Sequence, residues 1–484
     1  MNLFISALNG IGFITVITAI CPEAMSKGGD GKDWEVIEPS ESIRFRTSGE
    51  QKTIGPFYKF EEGSESRMWA IPPLLSHETW KGVEAEEWDI LYPLVTYDRF
   101  GSEFRLQLFQ SFSFSGGINQ ESERTKRLTL FPFYFQQRSE KADNNYTALF
   151  PIYGHLENRF FRKEIDFLLF PLYLRSEKSA FETRNFLYPF FHTRRGKHTR
   201  GFQFWPLFGW ENKEISTGRN ILKEEVTEPG YRKSFIFWPF YFRNELDLGG
   251  ANPINERMIL PLYRQSLSPA RDEYSFLWPL GHYVVDREKD YVEWGFPWPV
   301  VEFARGSGKT SNRIWPLFGN RKTANRENQF TLGPLYRKNK RTTEEGQTER
   351  SRVLFFLYSD TRETDLETGN RRSQRTDLWP LFTAEKNSQG QEFFQFPAPL
   401  EPLLPGNTSI KRNFSPLWSI WRRESDPVNQ TSRQSFLWNL YRKETVRDQT
   451  KISLFMGLFQ YESSADQREW RVFHLPPIRS KIRP

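Results

Sequence analysis

One short phrase recurs along the chain and constrains its fold more than any other feature: an aromatic residue, proline, leucine or phenylalanine, and a second aromatic residue. The strict copies are Trp205-Pro206-Leu207-Phe208, Trp238-Pro239-Phe240-Tyr241, Trp315-Pro316-Leu317-Phe318 and Trp379-Pro380-Leu381-Phe382. Looser copies surround Pro132, Pro151, Pro171, Pro189, Pro261, Pro279 and Pro334. Successive prolines lie mostly about 17 to 24 residues apart, a spacing that indicates a repeat architecture. We therefore expect one continuous repeat domain, although 484 residues alone would suggest several domains.

Each copy lies in a segment that is apolar in its middle and polar at its ends, as in residues 199–212. Phe, Trp and Tyr favour strands, and a residue before proline is held extended. Residues 355–358, 438–441 and 456–459 keep the same frame without proline. The sequence therefore predicts an all-β, repetitive antiparallel meander of about twenty units, each a strand of about ten to fourteen residues and a turn.

The position of the proline within these segments predicts a further feature, a row of bulges across the sheet. Because a central strand cannot lose a ladder donor, a proline in the middle of most strands indicates an aligned row of bulges. With a period of two, Phe204, Pro206 and Phe208 face one way, while Trp205 and Leu207 face the other. Both faces of the sheet are then apolar in a narrow band across the middle of the strands, which we call the apolar waist. We expect the sheet to be buried on both sides along this band.

Three architectures satisfy this pattern. The preferred one is a propeller-like or otherwise folded sheet assembly, which buries both faces of each sheet. The alternative is a large outer-membrane β-barrel. The mid-strand prolines and the apolar lumen face argue against it. A solenoid, which buries one face of each strand, is the third.

The N-terminus indicates export. Residues 3–20 are apolar and carry no charge, and Cys21 follows directly, so residues 1–21 are predicted as an export signal and Cys21 as a candidate lipidation site of a bacterial lipoprotein. Ile20 stands where a small residue normally precedes the lipidated cysteine, and no Lys or Arg precedes it. An uncleaved membrane anchor or a misassigned start codon are the alternatives. The other predicted boundaries are a polar segment at 22–50, the repeat domain at 51–475 and a basic tail at 476–484.

Composition narrows the function classes. Mean hydropathy is −0.66, which excludes a helical membrane protein. The 67 basic and 60 acidic residues are intermixed, which is typical of a solvated surface and argues against a nucleic-acid partner. Cys21 is the only cysteine, so the fold depends on packing and contains no intramolecular disulfide.

The remaining motifs favour structural interpretations. Residues 305–310 resemble the end of a phosphate-binding loop, but the required earlier glycine is Phe303, so we interpret them as a glycine-rich turn. None of the six histidines shows metal-ligand spacing, and we interpret His192 and His282 as polar residues at strand ends. The others are His77, His155, His198 and His474.

No nucleophile-elbow pattern occurs, and we predict no catalytic, cofactor-binding or metal-binding residue. Aromatic residues at a fixed place in every repeat are interpreted as part of the hydrophobic core. Stacking on sugars is the less favoured interpretation. Arg264, Arg337 and Arg442 recur after Leu-Tyr pairs and are interpreted as strand-end charges that snorkel from the apolar waist.

Residues 164–173, 185–191 and 376–382 resemble a family of uncharacterised exported bacterial proteins built of Trp-Pro-Leu-Phe-type repeats. The resemblance covers nearly the whole chain after the N-terminal segment. It implies an exported, repeat-built protein associated with the cell envelope, in the periplasm or outer membrane, and it implies no activity and no site residues.

We therefore expect a non-enzymatic exported envelope protein that acts as a scaffold or binding surface. An outer-membrane barrel for transport or anchoring is the first alternative, and a protein that binds or cleaves polysaccharide is the second. An envelope component, carbohydrate or the membrane is the expected kind of partner.

Overall fold

The computed structural model describes residues 50–481, except residues 64, 119–123, 179, 220–224, 334, 466, 474 and 476–477. The predictions made for the export signal, Cys21, the polar segment up to residue 49, Pro334 and His474 fall outside the described residues.

The described chain consists almost entirely of short strands, most of them five to eight residues long. They are β1 (Glu50–Ile54), β2 (Tyr58–Glu62), β3 (Ser66–Ile71), β4 (Leu75–Trp80), β5 (Ala85–Ile90), β6 (Val95–Phe100), β7 (Glu103–Leu108), β8 (Phe112–Ile118), β9 (Arg124–Leu130), β10 (Tyr134–Ser139), β11 (Tyr146–Leu149), β12 (Tyr153–Arg159), β13 (Arg162–Leu168), β14 (Tyr173–Glu177), β15 (Phe181–Phe186), β16 (Phe191–Gly196), β17 (Thr199–Phe204), β18 (Phe208–Lys213), β19 (Ser216–Arg219), β20 (Glu225–Glu228), β21 (Gly230–Ile236), β22 (Tyr241–Leu248), β23 (Ile254–Ile259), β24 (Tyr263–Leu267), β25 (Arg271–Phe276), β26 (Gly281–Asp286), β27 (Tyr291–Gly295), β28 (Val301–Gly306), β29 (Lys309–Ile314), β30 (Phe318–Thr323), β31 (Arg326–Thr331), β32 (Tyr336–Thr342), β33 (Gly346–Val353), β34 (Tyr358–Asp365), β35 (Arg371–Leu378), β36 (Phe382–Asn387), β37 (Glu392–Phe396), β38 (Trp421–Asp426), β39 (Thr431–Phe436), β40 (Tyr441–Val446), β41 (Gln449–Leu454), β42 (Phe459–Ser463), β43 (Gln467–Val472) and β44 (Ile478–Lys481).

Two short helices, α1 (Thr408–Asn413) and α2 (Ser415–Trp418), lie in the long connection between β37 and β38. Asn407 caps α1 by accepting a hydrogen bond from the backbone N–H of Ile410. Single 3₁₀ turns occur at Ala142–Asn144 and Phe455–Gly457.

Forty-two of the described strands form one antiparallel sheet in which each strand pairs with its neighbours in the chain. The hairpin of β19 and β20 stands apart, and β18 pairs directly with β21 across it. The first strand, β1, and the last described strand, β44, do not pair with each other, so the sheet is open. The prediction of an all-β, repetitive antiparallel meander in a folded sheet is confirmed, whereas barrel closure is not found among these strands.

The prediction of mid-strand prolines is wrong. Each repeat unit contains two short strands, and the proline lies in the tight turn that joins them. Phe204 ends β17, Phe208 begins β18, and the two pair directly across the turn. The turn position that proline occupies donates no ladder hydrogen bond, so proline is tolerated there, whereas it would break a central strand. The peptide bond before the proline is cis in all four strict copies.

The two faces of the sheet differ in burial. We call the inner face the side that carries Thr183, Arg194 and Gly201, which follow one another across β15, β16 and β17. The outer face carries Phe191 and Phe204. Buried polar side chains concentrate on the inner face: Ser76, Glu78, Asp89, Ser176, Thr183, Asn185, Asn244, Glu256, Ser275, Glu293, Glu302, Ser311, Ser373, Asp377 and Glu385. In a single layer, unequal burial of the two faces indicates that the sheet curves toward the inner one.

The expectation that both faces are apolar at a central waist is therefore wrong, because the inner face is mainly polar. Buried apolar side chains form two clusters among the described residues. One cluster contains Phe135, Tyr146, Ala148, Leu156 and Phe167, and the other contains Phe235, Phe242 and Leu260.

The aromatic residue before the turn proline packs against the same residue of the next unit. Ring centroids of Phe150 and Phe170 lie 5.3 Å apart, and those of Phe170 and Tyr188 lie 5.8 Å apart. Trp205 and Trp238 continue this arrangement at 5.5 Å. The interpretation of the recurring aromatics as core is confirmed for these stacked rings, whereas Phe131, Phe296 and Trp315 at the same position of the repeat are at least half exposed.

Candidate functional surfaces

The proline turns all lie on one edge of the sheet and form what we call the apolar rim. This edge comprises the short turns that follow the odd-numbered strands other than β19, β37 and β43. The apolar rim consists of residues 55–57, 72–74, 91–94, 109–111, 131–133, 150–152, 169–172, 187–190, 205–207, 237–240, 260–262, 277–280, 296–300, 315–317, 332–333, 335, 354–357, 379–381, 437–440 and 455–458.

None of these turns contains a charged residue. Their Leu, Phe and Trp side chains are nevertheless exposed: the exposed fraction is 70% for Phe109, 56% for Phe240, 62% for Leu262 and 50% for Trp315. Water-soluble monomers rarely expose a contiguous apolar surface of more than a few hundred Å². The apolar rim therefore requires a functional explanation.

The backbone of the apolar rim satisfies its own hydrogen bonds. Successive turns continue the ladder of the sheet: the N–H of Trp205 donates to the carbonyl of Phe190 at 2.7 Å, and that of Leu332 donates to Leu317 at 2.6 Å. Within a turn, the N–H of Leu207 donates to the carbonyl of Phe204 at 2.8 Å. The proline between them has no N–H to satisfy. Polar backbone groups at this edge thus require few water partners.

The opposite edge, which we call the polar edge, has the contrary composition. Its connections include Arg287-Glu288-Lys289-Asp290, Thr343-Glu344-Glu345 and Arg447-Asp448. The exceptions include Phe161 and Val428, exposed by 86% and 63%, and also Val83, Phe160 and Leu366. The sheet therefore has one edge suited to an apolar medium and one suited to water.

Charges on the inner face are arranged in pairs across neighbouring strands. Lys309 contacts both Glu293 and, at 3.0 Å, Glu302, with all three side chains almost fully buried. Burial raises the pKa of Glu302, but the Lys309 ammonium outweighs it and the pKa is lowered overall. Arg264 contacts Glu256 at 2.9 Å and also contacts Glu273. These contacts replace an apolar core with hydrogen-bonded ion pairs.

Two snorkelling predictions are corrected by these contacts. Arg264 is turned inward to its carboxylate partners, and Arg442 donates to the Thr53 hydroxyl at 3.0 Å and contacts Glu444. Inward carboxylates outcompete solvent for both guanidinium groups. Arg337 is exposed, as expected.

Arg412 of α1 joins distant parts of the sheet. Its guanidinium donates to Ser76 Oγ at 2.8 Å, to Glu78 Oε2 at 2.9 Å and to Glu87 Oε1 at 2.8 Å, and it also contacts Asp89. The Arg412 side chain is 3% exposed. Burial opposes its charge, but Glu87 and Asp89 raise the pKa of Arg412 above its ordinary value.

Further contacts accompany Arg412. Asn413 donates to Asp89 at 2.7 Å, Asn407 donates to the Tyr92 hydroxyl at 3.1 Å, and Ser409 donates to Glu87 at 3.1 Å. We call this set of contacts between residues 53–92 and 401–442 the return contact. It shows that the sheet bends until the inner face near its start meets α1 and the inner face near its end.

A cavity of about 60 Å³ lies beside the return contact. Its cations have carboxylate partners: Lys59 lies 2.9 Å from Glu61, and Arg422 lies 2.6 Å from Glu424. Because these charges are matched, the cavity is explained by the packing of the two ends.

The histidines and the glycine-rich segment take the structural roles expected of them. His192 Nδ1 donates to Asn185 at 3.1 Å on the inner face, and His282 lies 3.7 Å from Glu293, far along the sheet. Ser307 and Gly308 form the turn between β28 and β29, not a phosphate loop. Within the described part of the chain, no group of three or more His, Cys, Asp and Glu residues is placed to hold a metal ion.

His192 makes the stability of the protein depend on pH. Burial, assisted by the Arg194 guanidinium, lowers the pKa of His192 from 6.5 to about 4. Between these values the unfolded chain binds a proton that the folded chain does not, so the free energy of unfolding decreases as pH falls from 6.5 toward 4. We expect His192→Gln to remove this part of the pH dependence in urea unfolding at pH 7 and pH 5. An unchanged difference between the two pH values would contradict the assignment.

Arg412 is the residue that sequence analysis missed. Its partners lie more than 320 residues away in the chain, so no local pattern indicates the contact. One signal was present: the aromatic-proline frame is interrupted between residues 397 and 420, where Asn407 is followed by a helical turn.

Comparison with protein-family models gives no match, and comparison with curated proteins gives none. The resemblance to exported Trp-Pro-Leu-Phe repeat proteins therefore stays a prediction. None of the helices in the described residues is both long and apolar enough to span a bilayer.

Proposed function

We propose that the chain is a non-enzymatic, exported protein of the bacterial cell envelope that serves as a scaffold or binding surface. The observation that carries this proposal is the apolar rim, which is repeated turn after turn along the sheet and exposed in the isolated chain. A repeat sheet of this kind offers one surface chemistry over a long distance, as scaffolds and extended binding surfaces do.

Two features of the sequence support the location. The apolar segment at residues 3–20 is typical of an export signal, and Cys21 directly after it is the candidate lipidation site. The intermixed charges of the polar edge suit an aqueous compartment, while the apolar rim requires a partner there.

Fractionation of the native host tests this proposal. We expect the wild-type protein in the envelope fraction, and we expect Cys21→Ala to reduce its retention there because a lipid anchor is lost. The variant Cys21→Ser controls for loss of a polar group at this position. Recovery of the wild-type protein in the cytoplasm would overturn the proposed location.

A further inference from the structure

We propose that the apolar rim inserts into the surface of a lipid bilayer, so that the sheet stands with its rim in the membrane and its polar edge in water. This deepens the proposed function by naming the partner of the binding surface, and it rests on that function only for the location of the protein. The occupant we assign to the apolar rim is the interfacial and acyl region of the bilayer.

The side chains of the apolar rim fit this occupant. Its turns consist mainly of Leu, Phe, Trp, Tyr, Ile and Pro, and none of them contains a charged residue. Trp and Tyr are enriched where proteins cross the interface of a membrane, because an apolar ring and a polar tip suit that layer. Trp315 and Trp438 are exposed in rim turns by 50% and 36%.

The backbone of the apolar rim provides the second argument. Apolar lipid offers no hydrogen bonds, so a segment that enters it must satisfy its own N–H and C=O groups. The turns do so by continuing the ladder from one tip to the next, as between Leu187 and Leu172 at 2.8 Å and between Leu277 and Leu262 at 2.8 Å. The turns of the polar edge make the same kind of bond, as between Arg287 and Ala270 at 2.7 Å, so this arrangement permits entry into lipid and the side-chain composition distinguishes the two edges.

The apolar rim is less well suited to a protein partner than to lipid. Protein interfaces typically carry about ten hydrogen bonds and a polar periphery. In the rim turns, the polar side chains other than Trp and Tyr are Gln110, Ser111 and Asn439. The connections of the polar edge carry charged residues and the rim turns carry none, which leaves one edge for lipid and one for solvent.

Binding of the purified full-length chain to vesicles of phosphatidylcholine tests the proposal, with flotation as the measurement. These vesicles carry no net charge, so binding to them reports insertion of apolar groups. We expect the wild-type chain to float with the vesicles at both low and high salt. The rim variant combines Phe240→Glu with Leu262→Glu, two exposed tips in neighbouring turns. Its affinity for vesicles is expected to fall at least about tenfold, since each buried carboxylate opposes insertion.

The matched control combines Phe161→Glu with Val428→Glu, which removes two exposed apolar side chains from the polar edge. We expect this variant to bind vesicles like the wild-type chain. Circular dichroism checks that both variants keep the strand structure, since all four positions are exposed.

Three results would overturn the proposal: no binding of the wild-type chain, equal loss in both variants, or binding that disappears at high salt. If the wild-type chain does not bind vesicles but self-associates, and the rim variant does not self-associate, the apolar rim is a contact between copies of the chain. Envelope retention without vesicle binding would refute the lipid assignment alone, whereas vesicle binding by a cytoplasmic protein would refute the proposed function alone.

Discussion

Replacing Arg412 with methionine is expected to lower the free energy of unfolding by about 3–5 kcal/mol, the usual effect of breaking a buried ion pair from one side. The substitution leaves Glu78, Glu87 and Asp89 close together without their shared cation. Because these carboxylates belong to β4 and β5 while Arg412 belongs to α1, their repulsion separates the two ends of the sheet. We therefore also expect a larger radius of gyration in small-angle X-ray scattering.

Lys411→Met is the matched control for this experiment. Lys411 precedes Arg412 in α1, but its ammonium is 30% exposed and lies 3.8 Å from Glu385. The Lys411–Glu385 contact is long and partly exposed, and Glu385 keeps its contact with Arg375 at 2.6 Å, so the control is expected to lose at most about 1 kcal/mol and to unfold nearly like the wild-type chain. Adding Glu78→Gln, Glu87→Gln and Asp89→Asn to the Arg412 variant should restore part of the stability. Equal stability of the Arg412 and Lys411 variants in urea unfolding would contradict the return contact.

Gly319→Ala is expected to destabilise the fold by about 1–3 kcal/mol through overpacking. Gly319 lies on the inner face next to the apolar rim and pairs with Phe330 of the following strand. A Cβ at Gly319 would lie 2.1 Å from Cε1 and 2.6 Å from Cζ of that ring, so the ring must move. Gly209 repeats the arrangement beneath Phe235, where the closest approach is 2.4 Å.

Gly82→Ala provides the control, because nothing lies within 4 Å of a Cβ at that position. Thermal unfolding of both variants compares them directly, and Gly319→Ala combined with Phe330→Leu should recover part of the loss. If Gly319→Ala and Gly82→Ala unfold at the same temperature, the packing of the aromatic ring on glycine does not stabilise the sheet.

The strand content and the repeat could be predicted because both arise from local pattern. Aromatic and β-branched residues bounded by polar turns favour strands wherever they occur. The proline was misplaced because a strand with a central bulge and a hairpin with a tight turn share the same pattern. Phe204 and Phe208 lie on one face in either case, since residues that pair across a hairpin turn share a face.

The polar inner face could not be predicted because its ion pairs form across strands. Lys309 and Glu293 lie 16 residues apart, and no residue near Lys309 in the chain indicates that it is buried. Likewise, the sequence shows that the residues of the apolar rim are apolar but not that they are exposed. A local pattern of apolar residues predicts a buried core. The register of the strands determines which of them reach the surface.

The most direct test of the account is the surroundings of the two edges in the vesicle-bound chain. A spin label at Leu262→Cys lies in the apolar rim, and one at Pro269→Cys lies at the polar edge, at the other end of β24. Both are introduced into the Cys21→Ser chain, which has no other cysteine. We predict that the label at position 262 is more accessible to oxygen and the label at 269 to a water-soluble nickel complex. Equal accessibility at the two positions would contradict the separation of an apolar rim from a polar edge.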